Sequence, residues 1–237
     1  MRNLFFFIGI CISLAFVSAV NQKNKVIQFD ISHILNARPV TTLTNNKLVT
    51  WKQGIDGGGK ADGYLTYSAA IFNGDVDPLA LPDNPVFPAN EFHPTIKLHY
   101  DNKDAVNNQA FSLVGAGEVS FAVPARKYSE VYLALTSSEG ASNLEINYTY
   151  ADGAESRKFE VPDYYQDLND NDQDYCYLAH NLAKCGPKNN MAEKDHHNID
   201  LLNIRPNAKR ILKKITLIKT EPGYLVLWAA TGVVRPH

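Results

Sequence analysis

The segment 163–185, "DYYQDLNDNDQDYCYLAHNLAKC", holds the densest set of groups able to do chemistry: carboxylates at Asp163, Asp170, Asp172 and Asp174, phenols at Tyr164, Tyr165 and Tyr175, and thiols at Cys176 and Cys185. Asp170, Asp172 and Asp174 alternate as oxygen ligands do in the first half of a calcium loop. The helix-loop-helix form of that loop also needs Gly at its sixth place and a bidentate Glu at its twelfth, where this chain has Tyr175 and Asn181. The triplet can still supply a looser Ca2+ site completed by carbonyls of a neighbouring loop; the alternative is a solvated acidic loop. The tyrosines beside it suit carbohydrate, because sugar rings stack on flat aromatic faces while carboxylates and amides bond their hydroxyls. Asp163, Tyr164, Tyr165 and Tyr175 are therefore the candidate ligand-binding residues.

Other constellations point less sharply. The run "DGGGKADG", 56–63, has glycines suited to a phosphate cradle, but Lys60 is not followed by Ser or Thr and no strand-to-helix context surrounds it. It reads as a flexible connection with Asp56 and Asp62 exposed, flanked by Trp51 and Tyr64. In "KDHHN", His196 and His197 point to opposite faces if the segment is extended; with His180 they offer a metal site, against a polar loop before the strand "NIDLL". No G-x-S-x-G elbow is present. A glycosidase needs two carboxylates roughly 5 to 10 Å apart, and among 25 acidic residues none is singled out.

The elements that hold these groups are extended: runs such as "KVIQFDI", "KLVTW", "YLTYSAAI", "TIKLHY", "EVSFAV", "EVYLALTS", "SRKFEV" and "YLVLWAATGVV" are β-branched or aromatic and bounded by Gly, Pro, Asn or Asp. In "NLEINYTYADG", Leu144, Ile146, Tyr148 and Tyr150 share one face while Glu145, Asn147 and Thr149 share the other, so one face packs and the other meets solvent. Asn147-Tyr148-Thr149 on that outer face is an N-glycosylation sequon. Helical periodicity is confined to a short turn in "DISHILNAR", and the proline-rich segment 77–94 reads as a surface loop because proline donates no ladder hydrogen bond. The expected fold is all-β, two antiparallel sheets packed as a sandwich of jelly-roll type.

The N-terminus opens "MRNLFFFIGICISLAFVSAV", with Arg2 before an apolar run and Ser18-Ala19 at a cleavage point, the pattern of a signal peptide over residues 1–19. Residues 20–237 then form one domain, secreted to an extracellular and oxidising compartment, with no membrane anchor after cleavage. The chain has 23 Lys and Arg against 25 Asp and Glu, and Arg2 is the only charge in residues 1–19, so the remainder carries −3 and gives no footing for nucleic acid. With Cys11 removed, Cys176 and Cys185 are the remaining thiols; a disulfide closing the short excursion "YLAHNLAK" is expected, worth about 2 to 3 kcal/mol.

Three blocks, "VSFAVPARKYSEVYLALTSSEG", "INYTYADGAESRKFEVPDYY" and "IDLLNIRPNAKRILKKITLIKTEPGYLVLWAATG", resemble the β-sandwich, carbohydrate-binding-type accessory modules of secreted glycoside hydrolases and related extracellular proteins. Asp163-Tyr164 stands where such modules often place Asp-Trp, and "FDISHILNARP" fits their opening strand. The resemblance implies a carbohydrate-binding scaffold and carries over no catalytic residue. The expected function is a secreted carbohydrate binder, more a binding module than an enzyme. The alternatives are an extracellular polysaccharide hydrolase and a matrix or cell-surface structural protein without a small ligand.

Overall fold

Turn residues break the chain into short extended runs, and the computed structural model, which describes residues 24–56, 62–169 and 172–235, is almost all β with several antiparallel sheets. Strand β1 (Lys25–Gln28) leads through a 3-10 turn, Ser32–Ile34, to β2 (Val40–Thr44), β3 (Lys47–Val49), β4 (Tyr64–Leu65), helix α1 (Tyr67–Phe72), β5 (Val86–Phe87) and β6 (Ile96–Lys97). Longer strands follow: β7 (Phe111–Val114), β8 (Gly117–Arg126), β9 (Glu130–Ser138), β10 (Ser142–Tyr150), β11 (Gly153–Val161), β12 (Tyr175–Cys185), β13 (Met191–Asn203), β14 (Leu212–Lys219) and β15 (Tyr224–Val234). Residues 1–19, expected to be a signal peptide, lie outside the described residues. No described helix is long and apolar enough to cross a membrane.

Two antiparallel sheets dominate. One runs β11-β10-β14-β8; the other runs β1-β15-β9-β13-β12, with β7 also paired to β15. They face one another across an apolar cluster that takes Phe121, Ile146, Tyr148 and Ile215 from the first sheet and Leu133, Leu135, Leu202 and Leu227 from the second. β10 alternates as its sequence requires, with Leu144, Ile146, Tyr148 and Tyr150 buried and Asn147 half-exposed on the outer face between Ser156 and Thr216.

The larger sheet is covered on both faces. A second cluster joins Ala134, Leu201, Val226 and Trp228 from that sheet to Val40, Ile55, Tyr64, Leu81, Leu98 and Tyr100 from the layer built by residues 37–110. That explains why "YLVLWAATGVV" in β15 is apolar without alternation: a strand buried on both sides has no solvent face to alternate with. Tyr64 stacks on Trp228 at 5.9 Å, and both aromatics flanking the glycine loop, Trp51 and Tyr64, are buried.

Several local expectations are corrected. "YLTYSAAI" is a strand only at Tyr64–Leu65; from Tyr67 it is α1, because Asp83 accepts the Ser68 N–H at 2.9 Å and the Ser68 hydroxyl, anchoring the first turn from outside the segment. "KDHHN" is not a loop: it lies within β13, where the positive φ of His196 marks an irregularity that leaves His196 outside and His197 fully buried. The expected Cys176–Cys185 disulfide does not form, and both thiols are free. "YLAHNLAK" is not an excursion but the body of β12, so the cysteines stand near opposite ends of one strand, about 30 Å apart at ~3.3 Å per residue, where a bridge needs Cα atoms within about 7 Å. Burial pushes each thiol up to about 11.

Candidate functional site

The base of the glycine loop, the tyrosine pair and the β12–β13 hairpin meet at one place. A backbone bond from Ile55 N to Asp62 O (2.8 Å) and a backbone-to-side-chain bond from Asp62 N to the Asp56 Oδ1 carboxylate oxygen (2.8 Å) close the base of the loop. The base is then pinned to the end of β12 by paired bonds between Gly63 and Cys185 and by Trp51 Nε1 donating to Cys185 O at 3.0 Å. Only glycine fits here: a Cβ on Gly54 would stand 2.2 Å from Asp62 O, and one on Gly63 would stand 2.4 Å from the Trp51 ring. Asp56 and Asp62, expected to be exposed, are instead turned inward, with Asp56 buried.

From the other side, Asp163 accepts the Gly140 N–H (2.7 Å) and the Tyr165 N–H (3.1 Å), and Tyr164 N bonds Ser137 O. This turn drives Tyr164 into the protein and leaves Tyr165 at the surface, 42% exposed. The rings of Tyr164, Tyr165 and His197 form a three-membered cluster with centroid separations of 4.5, 4.8 and 4.9 Å. His197 Nδ1 donates to Leu182 O at 2.7 Å, which turns Nε2 toward Glu193 at 3.5 Å. Burial holds the His197 pKa below its usual value, so the ring is neutral at pH 7.

At the centre is Lys184, the penultimate residue of β12 and nearly buried. Its Nζ is 2.9 Å from Tyr165 OH, 3.0 Å from Tyr164 OH, 3.3 Å from Asp56, 3.6 Å from Asp62 and 3.7 Å from Glu193. Tyr164 OH in turn donates to Asp56 Oδ2 at 3.0 Å, and Tyr165 OH donates to Glu193. Burial works to lower the Lys184 pKa, but the Tyr165 hydrogen bond and the Asp56 charge outweigh it and the net direction is upward. Asp62 is pushed up, first by burial and then by the Asp56 charge; Glu193 is held down, first by its bond from Tyr165. The result is one ammonium among three carboxylates, an anionic cage whose outer wall is Tyr165 and Glu193.

Of the residues singled out by sequence, Asp163, Tyr164 and Tyr165 belong to this place, the first as the turn's cap. Tyr175 does not: its hydroxyl donates to Glu160 O at 2.8 Å and its ring packs on the cluster between the two main sheets. Asp172 caps a turn by accepting the Asp174 N–H, and Asp174 pairs with Arg205 at 2.9 Å; Asp170 lies outside the described residues. No group of three His, Cys, Asp or Glu that could hold a metal occurs among the described residues. His180 stacks on Tyr177 at 4.2 Å and lies 3.6 Å from Asp167, while His196 lies against Asp195 and His197 faces Glu193.

Sequence reasoning missed Lys184, Glu193 and the inward role of Asp56 and Asp62. The available signal was the paired glycines Gly54 and Gly63 bracketing two aspartates six positions apart. No protein-family model and no curated protein matches this chain.

Proposed function

We propose that the chain is a secreted β-sandwich of jelly-roll type that binds carbohydrate on the outer wall of the Lys184 cage. The observation that carries this reading is Tyr165, 42% exposed, with its hydroxyl fixed by Lys184 and Glu193 so that the ring is held rigid beside a carboxylate. A sugar ring can stack on such a face without the cost of ordering it, and Glu193 is placed to accept a hydroxyl. The segment after Tyr165 extends the wall: Leu168 N donates to Tyr177 OH at 2.6 Å, and Tyr177 stacks on the exposed His180 beside Asp167. A hydrolase reading is less well served, because the ammonium of Lys184 fills the gap between Asp56 and Glu193 where substrate would have to lie. A glycan array and polysaccharide pull-down, with and without calcium, tests the proposal. Binding that Tyr165→Ala abolishes is expected; absence of binding across plant, microbial and animal glycans refutes it.

A second reading, an extracellular interaction protein without a small ligand, is favoured by one observation. Tyr67, Ile71 and Phe72 on α1 are 52%, 45% and 53% exposed, an apolar face of the kind that marks protein contacts. Concentration-dependent association in sedimentation, lost on replacing Ile71 and Phe72 by Ser, would favour this reading over the first.

A further inference from the structure

We propose that Lys184 Nζ and the side-chain carboxyl of Asp56 condense into an intramolecular amide, a covalent tie between β12 and the loop after β3. Among the described residues Lys184 is the lysine whose amine lies against buried carboxylates, and it is held there by two independent segments. Nζ is 3.3 Å from Asp56 Oδ2, so the amine lies in direct contact with the carboxyl group it would attack, and the side chains are only 11% and 9% exposed. Both Asp56 oxygens receive donors: the Asp62 N–H at 2.8 Å on Oδ1 and the Tyr164 hydroxyl at 3.0 Å on Oδ2. The donor on Oδ1 stabilises the negative charge that builds there when the carboxyl carbon is attacked, and the donor on Oδ2 positions the oxygen that leaves. A second carboxylate, Asp62, lies 3.6 Å from Nζ and can carry a proton.

The step balances without a co-reactant. One ammonium proton passes to Asp56 Oδ2, giving a neutral amine and a carboxylic acid. The amine attacks Cγ, with Oδ1 held by the Asp62 N–H. Asp62 takes a second proton from nitrogen and delivers it to Oδ2, the Cγ–Oδ2 bond breaks, and water leaves. The amide nitrogen keeps the third proton and Asp62 ends as it began. The surroundings favour the ammonium, so neutral amine is scarce, but the reaction is required once per molecule and not in turnover.

Intact-mass measurement of the purified full chain, followed by tandem spectra of a digest, tests the proposal. The expected result is a chain lighter than its sequence by one water, with a branched peptide joining Lys184 to Asp56, and the full sequence mass for Lys184→Met and for Asp56→Ala. Asp62→Asn is expected to accumulate at the full mass while folding normally; formation of the bond at the wild-type extent in that variant overturns the role given to Asp62. Wild-type protein at its full sequence mass overturns the proposal. So does a loss of water reversed by hydroxylamine with no branched peptide, since Asp56-Gly57 can also dehydrate to a succinimide.

Discussion

Two lysines end strands in this protein with their amines removed from water, and their surroundings differ in kind. Lys219, at the end of β14 and 1% exposed, points into a ring of backbone carbonyls: Glu221 O and Pro222 O at 2.6 Å, Gly115 O and Gly223 O at 3.3 Å. Lys184 faces carboxylates and phenols. The carbonyl ring is neutral, so burial dominates and the Lys219 pKa is lowered, with Glu221 only partly offsetting it. That ring joins the turn after β7 to the turn before β15 and presents nothing that titrates toward a ligand. The Lys184 cage carries an excess of negative charge, includes groups that exchange protons, and reaches the surface through Tyr165. One buried amine is held by neutral carbonyls that do not titrate; the other sits among carboxylates and phenols that can exchange protons.

Replacing each lysine by Met breaks the comparison most directly. Removing the cation from a buried ion pair costs about 3 to 5 kcal/mol, and orphaning several carbonyls costs a similar amount, so both variants are expected to lose stability on that order at pH 7, with Lys184→Met compared against protein in which the amide to Asp56 has not formed. Their pH dependence separates them. Lys184→Met leaves Asp56, Asp62 and Glu193 mutually repelling, and its deficit should shrink as pH falls toward about 4 and the carboxylates protonate. The Lys219→Met deficit should stay flat over that range. Urea melts at pH 4 and pH 7 decide; parallel behaviour removes the distinction.

Asp200 supplies the limiting case, a charge-bearing group with no partner at all. It is 1% exposed, neither oxygen has a hydrogen bond, and burial pushes its pKa from 3.8 up to about 7. The native state therefore holds this proton more tightly than the unfolded chain does. Stability is fullest below pH about 4, falls as pH rises toward 7, and is then lower by up to about 4 kcal/mol, three units at about 1.4 kcal/mol each. Asp200→Asn should flatten that slope in melts taken across the range; an unchanged slope would assign it to another group.

Smaller effects test the frame around the cage. Gly63→Ala drives a methyl into Trp51 and is expected to cost about 1 to 3 kcal/mol and to weaken the proposed glycan binding together with stability, whereas Tyr165→Ala should weaken that binding with little loss of stability. The cysteines should matter least: Cys176→Ser is expected to move stability by less than about 1 kcal/mol, and unfolded protein should titrate with thiol reagent for both Cys176 and Cys185.

The strands were legible where one face meets solvent. β10 could be read residue by residue from Leu144 to Tyr150 because its period is that of a half-buried strand. β12 could not: "YLAHNLAK" has no clean period, being at the sheet's edge with irregular pairing to β13, and two cysteines at its ends looked like the neck of a loop. The Asp163-Tyr164-Tyr165 corner was found from its chemistry, but Lys184 gives no local sign, since Asp56 reaches it from 128 positions away. α1 was missed for the same reason, its first turn being secured by Asp83 from beyond the helix.

The place of β15 has a consequence in time. It pairs with β1, β7 and β9, all of which precede it in the chain, and it lies between them in the sheet. During synthesis those strands wait beside an empty slot until residues 224–234 emerge, about 10 to 40 s after β1 at roughly 5 to 20 residues per second. Through the later half of that interval, once β9 has emerged, the inner surfaces of β9 and the layer above it are open to wrong partners, so the step a chaperone would have to guard is the arrival of this one strand.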